Sequence, residues 1–155
     1  RLADALGCDL LNQGVGGALF DPAFITRDLA FVPDLVTVAC GTNDWSRGLA
    51  PAAVAETCAA VLQRVRAAHH PARIIVITPL WRADEAAPPS GRVPLGEVRA
   101  AIARVARAQG CAVVDGALLV PALTGLYEDG VHPNDQGFAA MLGALRAELA
   151  ESLIV

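Results

Sequence analysis

Short, almost wholly apolar runs alternate along this chain with longer segments whose apolar residues recur every three or four positions. The runs cover residues 35–40, 73–78 and 112–115, and a shorter run at 9–12 ends in a glycine-rich stretch. Near-continuous apolar strands are typical of parallel sheets, which are covered on both faces. We therefore expect four buried strands.

The longer segments have the periodicity of amphipathic helices. Their apolar spacing predicts helices over 49–68, 95–108 and 138–153, with Asn134 or Asp135 as the N-cap of the last one. Strands that alternate with helices through right-handed crossovers form a doubly wound α/β sheet. The sequence therefore predicts an α/β fold.

Length and composition exclude several other classes of protein. The chain of 155 residues is 54% hydrophobic and 18% charged, which predicts one folded domain over 1–155 and excludes disorder. Its net charge is −4 and it has no lysine, so it lacks the basic surface that nucleic acid requires. No apolar run approaches the roughly 20 residues that span a bilayer, so no transmembrane segment is expected.

The four cysteines are widely spaced and form no C-x-x-C motif: Cys8, Cys40, Cys58 and Cys111. We expect them to be buried as small apolar side chains, with a disulfide or a metal site as the alternative. Reduced thiols slightly favour a cytoplasmic protein, although the compartment stays open because an export signal could precede Arg1.

The first residues indicate that the sequence starts within a larger protein. Residues 1–6 have no initiator Met and look like the end of an amphipathic helix that Gly7 stops. We therefore expect the domain to be incomplete at its N-terminus.

Candidate site residues cluster at one end of the predicted sheet. In an open α/β sheet, ligands bind beyond the carboxyl ends of the strands. We expect residues 14–17, 41–44, 81–82 and 129–133 to lie there.

Asp129 and His132 are spaced for a carboxylate–imidazole pair. A carboxylate three residues before a histidine can accept the Nδ1–H bond, which leaves Nε2 free as a base. The alternative is an ordinary polar surface turn.

Two further segments could donate hydrogen bonds to a reacting oxygen. The Asn43 amide follows a predicted strand and could stabilise an oxyanion, or it could simply cap the turn. Gly17 could offer a backbone N–H, whereas a dinucleotide site is not supported because the third glycine follows the second directly. Trp45, Trp81 and Arg82 could line a substrate pocket or pack at its rim.

Taken in order, Asn12-x-Gly14-x-x-Gly17, Gly41-Thr42-Asn43-Asp44 and Asp129-Gly130-x-His132-Pro133 resemble the SGNH (GDSL-like) hydrolase family over nearly the whole chain. The resemblance implies a three-layer, flavodoxin-like α/β/α fold and ester hydrolysis by a serine, without metal or cofactor. It implies that His132 is the base and Asp129 its orienting carboxylate. It also implies that Gly17 and Asn43 form the oxyanion hole and that Asp44 has a structural hydrogen bond.

The chain departs from the family at the nucleophile, because no Gly-Asp-Ser motif is present. Its three serines, Ser46, Ser90 and Ser152, lack that context. We expect the serine to lie upstream, on a missing interior strand between the strands at Leu10 and Val36, and this chain alone to be inactive.

The expected partner is a small-molecule ester, such as a carbohydrate O-acetyl group, which suits a Trp/Arg rim. A non-catalytic SGNH-like binding domain and an acyltransferase that uses the same site are the alternatives. The oligomeric state is not predictable from the sequence.

Overall fold

The computed structural model describes residues 2–85, 87–88 and 91–153, with side chains as far as Leu149. Arg1 and Ser90 lie outside the described residues, as does the side chain of Ser152. No described helix is both long enough and apolar enough to cross a membrane.

A parallel sheet with helices on both faces forms the framework. In chain order the elements are α1 (Leu2–Leu6), β1 (Leu35–Ala39), α2 (Thr42–Ser46), α3 (Pro51–Ala68), β2 (Arg73–Ile77), α4 (Leu95–Ala108), β3 (Ala112–Val114) and α5 (Asp135–Leu153). The strand order is β1-β2-β3, and both pairings are parallel. The predicted α/β fold is confirmed, and α4 has the bounds that the periodicity predicts.

Two apolar cores lie on opposite faces of the sheet, because successive strand side chains point to opposite sides. Ile74 and Val76 of β2 pack with α3 and α4. Ile75 and Ile77 pack with Leu145 and Leu149 of α5. The sheet therefore lies between two helical layers, and loops follow the carboxyl ends of its strands.

The predicted strand at 9–12 is wrong. These residues have no regular secondary structure, and Leu10 and Leu11 are 72% and 50% exposed. A strand is stabilised by a hydrogen-bonded neighbour, and no described strand pairs with this segment. Apolar composition alone therefore does not produce a strand here.

The expectation of burial on both faces is correct for β2 and wrong for β1. Val38 is buried, while Thr37 and Ala39 on the opposite face are exposed. The apolar core on that face, which α5 helps to form, includes Leu35 of β1 but neither Thr37 nor Ala39.

The described cysteines are free thiols with different environments. Cys58 and Cys111 are buried as predicted, and Cys40 is half-buried. Cys8 is exposed, contrary to the prediction, because it follows α1 into the segment that does not join the core.

Candidate active site

Asn43 and Asp44 lie in the first turn of α2, directly beyond the carboxyl end of β1. Gly41 makes this entry possible with a left-handed φ of 106°, and a Cβ there would collide with Ile102 and crowd Pro79. Only glycine therefore fits the tight connection that places the Asn43 amide at the end of the sheet.

The loop before β1 is held on α2 by two hydrogen bonds. The Asn43 Nδ2 donates to the carbonyl oxygen of Ala18 at 2.9 Å. The Phe20 N–H donates to Asp44 Oδ1 at 3.3 Å. Gly17 has a φ of 76° and directly precedes Ala18, so it follows the same loop towards α2; its own side of the loop is exposed. A carboxamide has two N–H donors, and Asn43 uses one of them on Ala18.

Asp44 is a buried carboxylate, with 1% of its surface exposed. Burial raises its pKa, while hydrogen bonds from backbone N–H groups, among them that of Phe20, partly oppose the shift. The other oxygen, Oδ2, has no partner within the described part of the chain. The hydrogen bond to Phe20 agrees with the structural role expected for this residue.

Asp129 and His132 form the hydrogen bond that their spacing predicts. The distance between His132 Nδ1 and Asp129 Oδ2 is 2.8 Å. The other carboxylate oxygen accepts the backbone N–H groups of Val131 at 2.9 Å and His132 at 2.8 Å. Hydrogen bonds from the backbone and side chain of His132, and then from Val131, hold the pKa of Asp129 well below its usual range. Asp129 is therefore an ionised acceptor that orients the imidazole.

This turn is joined to the start of α5. Asn134 Oδ1 accepts the N–H groups of Gln136 at 3.1 Å and Gly137 at 3.0 Å. Asn134, one of the two predicted N-caps, is therefore the cap. The Glu128 N–H also donates to the His132 carbonyl oxygen at 2.8 Å, which closes the turn.

A cleft of about 400 Å³ lies beyond the ends of β1 and β2; we call it the His132 cleft. Asn43, Arg82 and His132 all line it. The rest of its wall is mostly apolar: Ala39, Cys40, Thr42, Ser46, Ile77, Thr78, Pro79, Leu80, Val131, Pro133 and Met141. Asn43 and His132, which are far apart in sequence, therefore share one cleft.

Trp45 and Trp81, which the sequence predicted as pocket residues together with Arg82, are not among the described residues that line this cleft. Trp45 is 1% exposed, donates its indole N–H to the Val93 carbonyl oxygen at 2.7 Å and borders a separate cavity of about 100 Å³. Trp81 packs on Tyr127 with ring centroids 5.0 Å apart. A tryptophan side chain is a large apolar surface, and here both are used for packing.

Two side chains with a nucleophilic atom, Cys40 and Ser46, also line the cleft. Ser46 Oγ accepts a hydrogen bond from Arg82 Nη1 at 2.7 Å. Burial and the charge of Asp44 raise the pKa of Cys40 to about 11, so its thiolate is scarce at neutral pH. Among the described residues, no group of three or more His, Cys, Asp or Glu side chains is arranged to hold a metal.

The sequence profile of the GDSL-like lipase/acylhydrolase family matches residues 1–140. The chain belongs to this family. The family's description names lipases and acylhydrolases. No curated protein matches the chain at a significant level.

Several solved structures share the fold of this chain. The salicylyl-acyltransferase SsfX3 from a tetracycline biosynthetic pathway has a TM-score of 0.84 and 20% identity, over 99% of this chain and 48% of that one. A possible lipase from Chitinophaga pinensis has a TM-score of 0.74 and 20% identity, over 98% of this chain and 86% of that one. The SGNH-hydrolase family esterase AlinE4 has a TM-score of 0.63 and 19% identity, over 97% of this chain and 81% of that one. The chain thus spans about half the length of SsfX3.

Proposed function

We propose that this chain carries the base and the oxyanion hole of a serine esterase. The observation that carries the proposal is the convergence in one cleft of the Asn43 amide and of His132, whose Nδ1 is bonded to Asp129 at 2.8 Å. A base with its orienting carboxylate, next to an amide donor, is the arrangement that acyl transfer requires. Gly17, adjacent to the Ala18 that Asn43 binds, supplies the second donor.

The reaction proceeds through an acyl-enzyme. The serine oxygen attacks the ester carbonyl carbon while Nε2 of His132 takes the hydroxyl proton. The resulting oxyanion accepts hydrogen bonds from the Gly17 N–H and the Asn43 amide. Collapse of the intermediate breaks the bond to the alcohol, which leaves with the proton from His132. Water, deprotonated in turn by His132, then attacks the acyl carbon. The bond between that carbon and the serine oxygen breaks as His132 returns the proton to the serine, and the acid leaves.

We propose that the nucleophilic serine is encoded upstream of Arg1, within a Gly-Asp-Ser motif. Ser46, the one serine that lines the cleft among the described residues, is on a short helix and bound by Arg82. The outer edge of β1 has no partner among the described strands. A strand paired there would end beside the cleft, because parallel strands end at the same side of a sheet. The chain of 155 residues alone is then inactive.

The cleft suits a short acyl group. Its mostly apolar wall can bind hydrocarbon, and its volume of about 400 Å³ is near the lower end of the range for small-molecule sites. Since Trp45 and Trp81 do not line the cleft, the tryptophan rim that suggested a sugar ester is not available there. We therefore propose a short-chain ester without assigning its alcohol.

The experiment compares the product of the complete reading frame with the 155-residue chain. A fluorophosphonate probe should label the former alone, and that protein should hydrolyse p-nitrophenyl acetate much faster than the palmitate ester. His132→Ala should lower kcat/KM by about 10²–10⁴-fold, because it removes the general base.

His70→Ala is the matched control, since His70 is exposed beyond the end of α3 and far from the machinery described above. An unlabelled and inactive full-length protein would support a binding domain instead. Transfer to an added alcohol in preference to water would identify an acyltransferase, a role that the 78% exposure of the His132 side chain permits.

A further inference from the structure

Arg82 joins two parts of the candidate site that are distant in sequence. It is 8% exposed. Its Nη1 donates to Thr42 Oγ1 at 3.1 Å and to Ser46 Oγ at 2.7 Å, both on α2. Nε and Nη2 donate to the two carboxylate oxygens of Asp84, each at 2.9 Å. All three guanidinium nitrogens therefore bind protein groups, and the positive charge is paired.

The residue that follows Arg82 binds the opposite side of the cleft. The Ala83 N–H donates to the Gly130 carbonyl oxygen at 2.8 Å, and Gly130 lies within the Asp129–His132 turn. Gly130 has a φ of 79°, and a Cβ there would crowd the Cβ of Ala83. Arg82 and Ala83 are successive residues, and they bind α2 and the Asp129–His132 turn respectively.

The segment that carries Arg82 has its own anchor on α4. Arg99 of α4 donates to the carbonyl oxygens of the first two residues of segment 79–85, both at 2.7 Å. It also pairs with Glu85 through bonds of 2.6 and 3.2 Å. Paired bonds between a guanidinium and a carboxylate fix the orientation of both groups. The segment that carries Arg82 is therefore held by α4 and not by α2, and the Arg82 side chain reaches α2 from that fixed position.

We propose that Arg82 is a positioning residue that sets the location of the Asn43 amide relative to His132. The inference rests on the proposed function, in which Asn43 binds the oxyanion. Asn43 lies on α2 between Thr42 and Ser46, the two residues that Arg82 binds. A shift of about 1 Å in a catalytic group costs up to about 10²-fold in rate. Direct binding of a substrate anion by Arg82 is disfavoured because four of its five N–H groups already bind Thr42, Ser46 and Asp84.

Kinetics of the full-length enzyme test the proposal. Arg82→Ala should lower kcat per fluorophosphonate-titrated site by about 10–10²-fold with KM changed less than about twofold. Arg82→Lys should not restore the rate, because one ammonium cannot bind both Asp84 and α2 as the guanidinium does. The Thr42→Val/Ser46→Ala double variant, which leaves the Asp84 pair intact, should also lower kcat.

Arg92→Ala is the matched control. The Arg92 guanidinium lies 5.2 Å from the centre of the Trp45 ring, as that of Arg82 lies 4.9 Å from it, so both variants lose a similar stacking contact. Arg92→Ala should keep kcat. An Arg82→Ala enzyme with raised KM and unchanged kcat, or with fewer titratable sites and unchanged kcat per site, would overturn the proposal.

A structural measurement tests the same inference without turnover. In the NMR spectrum of the full-length protein, Arg82→Ala should shift the side-chain amide resonances of Asn43, whereas Arg92→Ala should not. Unchanged Asn43 resonances would overturn the positioning role even if the protein proved inactive. Absence of esterase activity in the wild type would instead count against the proposed function, so the two failures are distinguishable.

Discussion

At the scale of single residues, Asp129 and His132 have most of their bonding within one local turn. Asp129 accepts three hydrogen bonds from residues no more than three positions away, although both side chains are exposed. The imidazole orientation is therefore set by short-range geometry and does not depend on burial. The exposed His132 side chain leaves Nε2 accessible, as the proposed role of a base for serine and then for water requires.

The low pKa of Asp129 predicts a simple pH dependence. Because its pKa lies well below the usual range, Asp129 stays ionised across the acid limb of the activity profile and takes up no proton there. The acid limb of log kcat/KM in the full-length enzyme should therefore have a slope of about one. A slope near two would mean that Asp129 or another carboxylate also takes up a proton in that range, contrary to this prediction.

Replacement of the orienting carboxylate provides a separate prediction. Asp129→Asn should lower kcat/KM by about 10²-fold or more, because the amide cannot hold the same imidazole tautomer.

Because the pKa of Asp129 is lowered by folding, its contribution to the free energy of unfolding is present above the ordinary aspartate pKa of about 4 and is lost as the pH falls. Glu128→Gln, which alters the neighbouring exposed carboxylate, is the control and should leave both rate and stability unchanged. Equal effects of the two variants would contradict the assignment.

At the scale of elements, capping connects the Asp129–His132 turn to α5. Asn134 caps α5 through its side-chain oxygen, while its Nδ2 donates to the Gly125 carbonyl oxygen at 2.9 Å. The helix start and the preceding loop therefore share one side chain. The sequence allowed Asn134 or Asp135 as the cap, and backbone geometry selected the former.

Asn134→Ala should lower the free energy of unfolding by about 1–2 kcal/mol, because it removes the N-cap. Urea denaturation followed by circular dichroism measures this change. Gln136→Ala is the control: its exposed side chain is removed, while its capped backbone N–H remains. A similar loss in both variants would show that the cap contributes little.

At the scale of the whole molecule, one part of the chain leaves large apolar side chains in solvent. Six of them lie between residues 10 and 32, each at least half exposed: Leu10, Leu11, Val15, Phe24, Phe31 and Val32. Exposed apolar surface of this kind promotes association. We attribute it to the absence of a strand partner for this region among the described residues.

The 155-residue chain should therefore bind the dye ANS and self-associate, and a Leu10→Ser/Leu11→Ser variant should do so less. Fluorescence titration and light scattering measure the two effects. Leu118→Ser is the control, since Leu118 is 78% exposed but lies elsewhere, in the 3-10 turn after β3. Equal reduction by the control would mean that dye binding is not specific to residues 10–32.

The sequence by itself determined the elements whose signals are local. Periodicity located α4, near-continuous apolar runs located β1, β2 and β3, and the spacing of Asp129 and His132 predicted their hydrogen bond. A helix or a tight turn depends on neighbouring residues, so a short window contains most of its physics.

Only the tertiary structure decided where distant residues meet. The failure of 9–12 to form a strand, the burial of Trp45 and the binding of Ser46 by Arg82 all depend on contacts across the fold. The last of these joins residues 36 positions apart. Strand pairing, burial and cleft shape result from which surfaces approach one another, and no local pattern contains that information.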